Sequence, residues 1–515
     1  MSSVVCINAG ILLPVLAPAV GAAVVLVTDV AVQHLRRVHY LIALTSLLIG
    51  ALSTVAGLGL AGGAARRTLC LPGGGQCMYV ADSVASTLQL AALLAAVLTL
   101  LLSWPDDRKQ PTGNTAVIIS LVLAATAGAT AVAGARDLGS WLVGLELATL
   151  PTVALVALRG ARSAISGAIA LLTAALVSFS LLAMSAALWF AATGSAFLSP
   201  AAALAVAGDP ARRPILVLAV VVVVAGIGFK LSLVPFHAWT PEAYDGAPLP
   251  IAGFLAGVSK IAALAALLVV IRAVAPLGAP PLTAIAIVAA VSMTLGNIMA
   301  LRQDGVVRLL AWSTVAQAGW VVLPLAAVSS AAVGASGAYL LAYVLATLLI
   351  FAVVAALVQI RGAAFARNLT QYKGLLKDHP VLASALSLAL LSLAGLPPGV
   401  LGLVAKVAAL RPVVTSELWL LAVVAAVNAV LGVAVYLRWL LKVISPAEAS
   451  PQPASPQPSS PQPSSPQPSG VGAGPALAQA VRAHPATLVA VGLTGVGLVL
   501  TSLSPQIILG LLGSQ

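Results

Sequence analysis

The sequence is short of charged side chains. Only 7% of its 515 residues are Asp, Glu, Lys or Arg, whereas about a quarter would be usual in a soluble domain. Hydrophobic residues make up 61%. This composition excludes a soluble globular protein and predicts an all-α polytopic membrane protein, because lipid offers no partner for unpaired backbone groups. Strand-period alternation is also absent, which argues against a β-barrel.

Cysteine is scarce as well. The three cysteines, Cys6, Cys70 and Cys77, show no metal-ligand spacing, which argues against zinc and iron–sulfur sites. Cys70 and Cys77 flank one short loop, where we expect either a disulfide or two free thiols. The net charge of +12 would suggest nucleic acid in a soluble protein. Here Lys and Arg in loops that orient the helices explain it better, so no nucleic-acid partner is expected.

Long apolar runs fill the chain. A membrane span needs about 20 apolar residues, and by that measure we count about fourteen segments. The seventh is broken at Pro235, and the twelfth contains Gly395-Leu396-Pro397-Pro398, which cannot continue as a regular helix. Broken helices at membrane depth often mark transport sites. The segments lie near 9–28, 39–61, 79–103, 115–133, 140–158, 164–192, 214–235, 248–274, 282–300, 306–328, 336–360, 380–410, 417–443 and 486–512.

Loop composition predicts the orientation. One set of alternate loops carries more than twice as many Lys and Arg side chains as the other, so we assign it to the cytoplasm and both termini to the outside. The loop between Cys70 and Cys77 is then extracytoplasmic, where a disulfide can persist. Residues 445–475 repeat PQPxS with few apolar side chains and are predicted to be a disordered linker.

Few charges lie deep inside the apolar segments. Glu146 is the one carboxylate well inside a run, and the lysines that share this property are Lys230, Lys260 and Lys406. A centrally placed Lys costs roughly 2.5–3.5 kcal/mol on insertion scales, so such residues predict a functional site. Desolvation disfavours the charged forms and an ion pair opposes it, so we expect at least one lysine to face Glu146. Such a set can hold and pass protons.

Each of these residues also has a structural alternative. Lys230 is alternatively a purely structural buried charge, and Lys260 a polar contact in helix packing. Lys406 can extend to the membrane interface instead, and Glu146, only a few residues into its helix, can be interfacial. His237 follows the break in the seventh segment and is either part of a proton relay or a satisfied structural donor.

Four stretches, ordered along roughly residues 133–441, resemble the antiporter-like membrane subunits of proton-pumping NADH:quinone oxidoreductase (respiratory complex I). Among these subunits they are most similar to the N type. The same family includes the Mrp cation/proton antiporters. The stretches read VGLELATLP (143–151), GFKLSLVPFHAWTPEAYDGAPLPIAGFLAGVSK (228–260), ALRQDGVVRLLAWSTVAQAGW (300–320) and LSLAGLPPGVLGLVAKVAAL (391–410).

The resemblance implies a fold of two inverted five-helix repeats, with helices seven and twelve broken. The implied divisions are helices 1–3 in 1–110, the first repeat in 111–274 and the second in 275–444. The linker at 445–475 and helix 14 in 476–515 follow. The resemblance also implies site roles. Glu146 matches the carboxylate partner of Lys230, Lys260 the middle of the proton path, and Lys406 the residue toward the far exit, with His237 as a further proton-transfer candidate.

The implied function is proton translocation as a non-redox subunit of the complex in the bacterial plasma membrane. Partner subunits then bind NADH, FMN, iron–sulfur clusters and quinone, and this chain none of them. The expected partners are other membrane subunits, including the antiporter-like M subunit and the small ones, and the lipid bilayer. A Mrp-type cation/proton antiporter subunit and a passive scaffold are the alternatives.

One departure from the family pattern stands out. N subunits usually carry a further lysine early in the sixth helix, but no lysine occurs here between Lys109 and Lys230. Arg162 is the available electrostatic substitute. What replaces that lysine is left open by the sequence.

Overall fold

The computed structural model describes residues 7–31, 36–60, 64–72, 75–104, 114–277, 280–327, 329–446 and 483–512. In this part of the chain, thirteen helices are long and apolar enough to cross a membrane. A further span consists of two shorter helices separated by a break. The predicted class, an all-α membrane protein of about fourteen spans, is therefore confirmed.

We number the spans in chain order. Spans 1 to 4 are the helices Ala9–Ala31, Arg36–Thr54, Ser83–Leu102 and Thr115–Gly134. Span 5 comprises Leu138–Leu147 and Leu150–Ala157, span 6 is Arg162–Thr193, and span 7 is Arg213–Leu231. Span 8 comprises Leu249–Ala256 and Val258–Val274, and spans 9 to 11 are Pro280–Leu301, Val306–Val322 and Ser330–Arg361. Span 12 comprises Pro380–Ala394 and Val400–Thr415, and spans 13 and 14 are Trp419–Ile444 and Pro485–Leu503.

Short helices connect or cap these spans. They are Pro200–Leu204, Trp239–Gly246, Ala364–Arg367, Leu375–Asp378 and Gln506–Leu511, with 3-10 turns at Val55–Gly57, Ala275–Leu277, Leu323–Ala326 and Leu369–Tyr372.

Spans 4–8 and 9–13 form the two repeats. Span 4 runs toward the face at which span 3 begins, and the four spans between it and span 9 bring the chain back to that face, so span 9 starts there. The two five-helix units are therefore inverted relative to each other, and in each the fourth helix, span 7 or span 12, is broken. In each unit the first helix packs on the second, span 4 on span 5 and span 9 on span 10.

Both predicted breaks are present, and two interruptions were not predicted. Span 7 ends at Leu231, a few residues before the proline that predicted its break, and Ser232 follows at φ 67°. Span 12 stops at Ala394, and Gly395 takes φ 80°. Span 5 is also interrupted at 148–149 and span 8 at Gly257. The first of these lies just before Pro151, but no proline accompanies the second.

Spans 8, 10 and 11 form the centre of the molecule. In their most apolar windows 94%, 94% and 89% of the residues are buried, against 28% in span 1 and 33% in spans 13 and 14. Polar side chains on the central spans are therefore shielded from lipid by the outer spans.

A β-hairpin precedes span 3, and sequence reasoning missed it. Strands β1 (Arg66–Cys70) and β2 (Cys77–Ala81) pair antiparallel, with Cys70 opposite Cys77. The two cysteines are joined by a disulfide. We call the side of the molecule where span 3 begins the hairpin face. The paired cysteines around a glycine-rich turn were the signal that could have predicted the hairpin.

The predicted linker lies mostly outside the described residues. Span 13 ends at Ile444, and the structure describes the chain up to residue 446 and again from 483. Cys6 is outside the described residues as well. The divisions at 110, 274, 444 and 475 stay predictions.

The two halves of span 12 approach so closely that only glycine fits between them. A Cβ atom built on Gly402 would lie 1.7 Å from the Ser392 carbonyl oxygen. Gly492 in span 14 offers the opposite case, since nothing lies within 4 Å of a Cβ atom built there.

We therefore expect Gly402→Ala to push the two halves of span 12 apart and to destabilise the fold by roughly 1–3 kcal/mol. Gly492→Ala, also a helical glycine, should leave stability unchanged or slightly raised, because alanine favours helix. Thermal unfolding of the detergent-solubilised protein measures both. Equal midpoints for Gly402→Ala and the wild type would contradict the close packing.

Candidate functional site

Glu146 and Lys230 form a direct ion pair between spans 5 and 7. The distance from Lys230 Nζ to Glu146 Oε1 is 2.8 Å, and the two side chains are only 6% and 14% exposed. Lys230 Nζ also donates to Thr149 Oγ1 at 2.9 Å. Glu146 lies near the end of the first half of span 5 and Thr149 lies in the interruption. The interruption thus supplies a hydroxyl beside the carboxylate, and the structure brings together the two residues that the resemblance paired.

Lys260 lies against the end of span 7. Its Nζ donates to the Lys230 carbonyl oxygen at 3.0 Å and to Ser232 Oγ at 2.5 Å. The Trp239 ring centroid is 4.9 Å from the same nitrogen, a geometry in which the ring face stabilises a cation. Span 7 ends at Leu231, so the Lys230 carbonyl has no further partner within its helix. The Lys260 side chain is therefore in direct contact with the backbone of Lys230.

Lys406 lies in the second repeat and does not extend to the membrane interface. The side chain is buried, and its Nζ donates to the Leu393 and Ala394 carbonyl oxygens at 3.1 and 2.6 Å. These carbonyls belong to the last turn before the break in span 12. Trp320 of span 10 faces the nitrogen, with its ring centroid 5.7 Å away. The break in span 12 thus holds Lys406 much as the end of span 7 holds Lys260.

His237 lies in the break of span 7 but apart from the lysines. Its ring packs against Trp312 of span 10, with ring centroids 5.2 Å apart. In the described part of the chain no hydrogen bond joins it to Lys230, Lys260 or Lys406. The break is also held from the second repeat, because the Val234 amide donates to Ser292 Oγ of span 9 at 2.9 Å.

Sequence reasoning missed a cluster of neutral polar residues near Lys406. In this cluster, which we call the Gln317 cluster, Tyr339 OH donates to Gln317 Oε1 at 2.6 Å and Gln317 Nε2 donates to Tyr436 OH at 2.8 Å. Ser313 Oγ lies 2.6 Å from Tyr436 OH. All four side chains are buried. Hydroxyls and amides inside apolar spans were the available signal, but they carry no charge and were not selected.

The Gln317 cluster borders the Lys406 site. The Tyr339 ring stacks on Trp320 with centroids 5.6 Å apart, and Trp320 is the ring that faces Lys406 Nζ. A cavity of about 10 Å³ is lined by Gln317, Tyr339 and Leu393, and Leu393 is one of the carbonyl acceptors of Lys406. Hydroxyl groups can both donate and accept hydrogen bonds. The Gln317 cluster therefore adds neutral polar groups next to the buried charge of Lys406.

Of the described residues that surround Lys230, none is a cationic substitute for the missing lysine of span 6. A cavity of about 30 Å³ beside Lys230 is lined from span 6 by Leu171, Ala174 and Ala175. Arg162 begins span 6 at an exposed position and does not line this cavity. A space of this size holds about one water molecule. Besides Lys230, the side chains with polar groups that line it are Thr149, Thr152, Ser259 and Trp239.

The chain is similar to known membrane proteins. The family model for NADH:quinone oxidoreductase/Mrp antiporter membrane proteins matches residues 135–432. NADH-quinone oxidoreductase subunit N of Salinispora tropica is 38% identical over 453 residues, covering 85% of each chain. NADH-quinone oxidoreductase subunit N 2 of Streptomyces griseus is 36% identical over 385 residues, covering 73% of this chain and 71% of the relative.

The chain belongs to this antiporter-like family. The resemblance stated from the sequence is thereby confirmed, and the similarity to relatives named subunit N agrees with the type that the motifs indicated.

Solved structures of this family share the fold. A chain of respiratory complex I from Thermus thermophilus matches with a TM-score of 0.74 and 30% identity, covering 96% of this chain and 98% of that one. A chain of the Mrp complex from a Dietzia species matches with a TM-score of 0.81 but only 21% identity, covering 98% and 96%. The second likeness shows the common fold alone.

The buried pair predicts a double-mutant effect on stability. Glu146→Gln leaves the Lys230 ammonium without its anion and should destabilise the protein by about 3 kcal/mol. Adding Lys230→Met to that variant removes the unpaired charge and should recover most of the loss. Thermal unfolding of the solubilised wild type, the two single variants and the double variant measures the coupling.

Asp209→Asn is the matched control, because Asp209 pairs with Arg212 on the exposed surface at 3.5 Å. It should leave the midpoint unchanged. Additive effects of the two buried substitutions would show that Glu146 and Lys230 do not interact.

Proposed function

We propose that the chain is a proton-translocating membrane subunit of an NADH:quinone oxidoreductase. The observation that carries the proposal is that Glu146, Lys230 and Lys260 lie together. Lys230 Nζ is 2.8 Å from Glu146 Oε1, and Lys260 Nζ donates to the Lys230 backbone carbonyl at 3.0 Å. These are costly groups to keep inside apolar spans, and a chain that only filled space would not need them. The identity with relatives named subunit N supports the assembly.

In the mechanism, the Glu146–Lys230 pair controls the charge on Lys230. When the carboxylate is close, it stabilises the ammonium form. When a charge change in a neighbouring subunit draws the carboxylate away, Lys230 holds its proton less tightly, because burial disfavours an unpaired ammonium. The proton then passes toward Lys260, with the Thr149 and Ser232 hydroxyls beside the two nitrogens.

The second half of the path leads to Lys406. Water and the hydroxyls of the Gln317 cluster connect Lys260 to the Lys406 site. His237 is proposed as a further proton-transfer residue at the break of span 7, where it is joined to the path by water rather than by a direct bond. Glu146, Lys230, Lys260, Lys406 and His237 are the residues to which we assign the transfer.

This subunit takes no part in the redox chemistry in our proposal. NADH, FMN, the iron–sulfur clusters and quinone are assigned to partner subunits, and the M subunit and the small membrane subunits to the neighbours. The membrane is the bacterial plasma membrane, with both termini and the hairpin face extracytoplasmic, as the loop charges indicate.

Lys230→Ala should abolish proton pumping driven by NADH in membrane vesicles, because the switchable ammonium is lost. Lys377→Ala is the matched control, since Lys377 is exposed in a short loop helix, and it should pump like the wild type. Quenching of a pH-sensitive dye in inverted vesicles measures pumping, and NADH oxidation is followed in parallel. Full pumping by Lys230→Ala would rule the mechanism out.

Lys406→Met should also reduce pumping at least tenfold, since it removes the proton carrier of the second repeat. A passive scaffold predicts unchanged pumping in this variant. The same vesicles separate the Mrp-type alternative. Sodium-dependent pH changes without NADH would favour an antiporter, and their absence together with pumping driven by NADH would exclude it.

A further inference from the structure

A second polar cavity opens at the hairpin face, away from the lysine series. Its volume is about 330 Å³, and three arginines line it: Arg67, Arg136 and Arg272. None of the described residues lining it is acidic. Apolar side chains form most of the remaining wall, among them Val80, Leu198 and Val269. The cavity therefore combines a cationic surface with an apolar one.

Asp82 lies behind two of these arginines and neutralises only one charge. Arg272 Nη1 is 2.8 Å and Arg136 Nη2 is 3.3 Å from Asp82 Oδ2, and the Ala85 amide donates to the same carboxylate at 2.8 Å. Burial by itself raises the pKa of Asp82, but the two guanidiniums and the amide outweigh it and hold that pKa below its usual range. With Asp82 ionised, the three arginines leave a surplus of two positive charges.

Arg67 differs from the other two arginines in its partners. It is opposite Val80 in the hairpin register, and both side chains line the cavity. Of the residues that the structure describes, none forms a hydrogen bond or ion pair with the Arg67 guanidinium. Arg66, its neighbour on the strand, points elsewhere and donates to the Ser53 carbonyl at 3.3 Å.

The position of the cavity at the ends of the spans indicates what kind of anion it binds. Arg136 lies between the end of span 4 and the start of span 5, and Arg272 lies in the last turn of span 8. These span ends are where hydrocarbon gives way to phospholipid headgroups. A free guanidinium at this level favours a phosphate, which it can bind through two parallel hydrogen bonds.

We propose that this cavity binds the phosphodiester headgroup of an anionic phospholipid from the leaflet at the hairpin face. Arg67 and Arg272 contact the phosphate oxygens, and the apolar wall receives the start of an acyl chain. Basic pockets between membrane spans are known to hold anionic headgroups. The site stands apart from the proton path, because none of Glu146, Lys230, Lys260 and Lys406 lines it.

The test uses the full chain purified in mild detergent with whatever subunits accompany it. After removal of endogenous lipid, the protein is titrated with phosphatidylglycerol in mixed micelles, with phosphatidylcholine as the neutral reference, and bound lipid is counted by native mass spectrometry. We expect tighter binding of phosphatidylglycerol and roughly a tenfold loss of that affinity in Arg67→Gln. Arg66→Gln removes the same charge from the same strand and should bind like the wild type.

Arg272→Gln provides a second variant and should show a similar loss. Unchanged binding in both Arg67→Gln and Arg272→Gln would overturn the proposal, and so would equal losses in Arg66→Gln and Arg67→Gln, which indicate diffuse attraction. Inorganic phosphate is added in a separate arm. If it displaces the lipid at equal concentration, the site is one for a free anion and the proposal is wrong. Cross-linking of the cavity to a neighbouring polypeptide in place of lipid would also overturn it.

Discussion

Backbone oxygens at the ends of interrupted helices hold two of the three buried lysines, Lys260 and Lys406, and the site depends on this arrangement. The last four carbonyls of a helix have no partner within it and carry the negative end of the helix dipole. Lys260 lies at such a helix end in span 7, where its Nζ donates a hydrogen bond to the Lys230 carbonyl oxygen. Lys406 lies at the helix end in span 12, where its Nζ donates hydrogen bonds to the Leu393 and Ala394 carbonyl oxygens. Without the breaks, these charges would have no acceptors in an apolar interior.

The two repeats use this arrangement differently. In the first, the carboxylate of Glu146 on span 5 faces a lysine directly. In the second, span 10 is the equivalent helix by order, and its buried polar residue near the break is the neutral Gln317. In the described part of the chain, Lys406 is therefore stabilised by carbonyl dipoles and a ring face, whereas Lys230 has a counter-ion. Among the residues that the structure describes, an ion pair holds a lysine in the first repeat, and none is present around Lys406.

Sequence reasoning predicted the spans and both breaks because these follow from strong local signals. Apolar length decides what can cross a bilayer, and proline indicates that helices seven and twelve are interrupted. The positions of the ends were less exact, since span 7 ends at Leu231 where Ser232 adopts a left-handed conformation. The interruption at Gly257 carries no proline and was missed. A single glycine inside an apolar run is tolerated in a helix, so it does not by itself predict an interruption.

The candidate site was predicted as a set of charges but not as a network. Glu146 and the three lysines stand out in an apolar sequence because each is expensive to bury. Gln317, Tyr339 and Tyr436 carry no charge and cost less free energy to bury. Only the folded chain shows that they are hydrogen-bonded to one another. Arg162, considered as a replacement for the missing lysine, is exposed at the start of span 6. Its distance from the site could be judged only from the folded chain.

The hydrogen bond from the Val234 amide to Ser292 has a mechanical consequence. It joins the break of the first repeat to span 9, the first helix of the second repeat. Lys260 donates to Ser232, two residues earlier in the same break. A tilt of span 9 would therefore pull on the peptide that supports the middle lysine. The position of the middle lysine in the first repeat is thus tied to a helix of the second repeat.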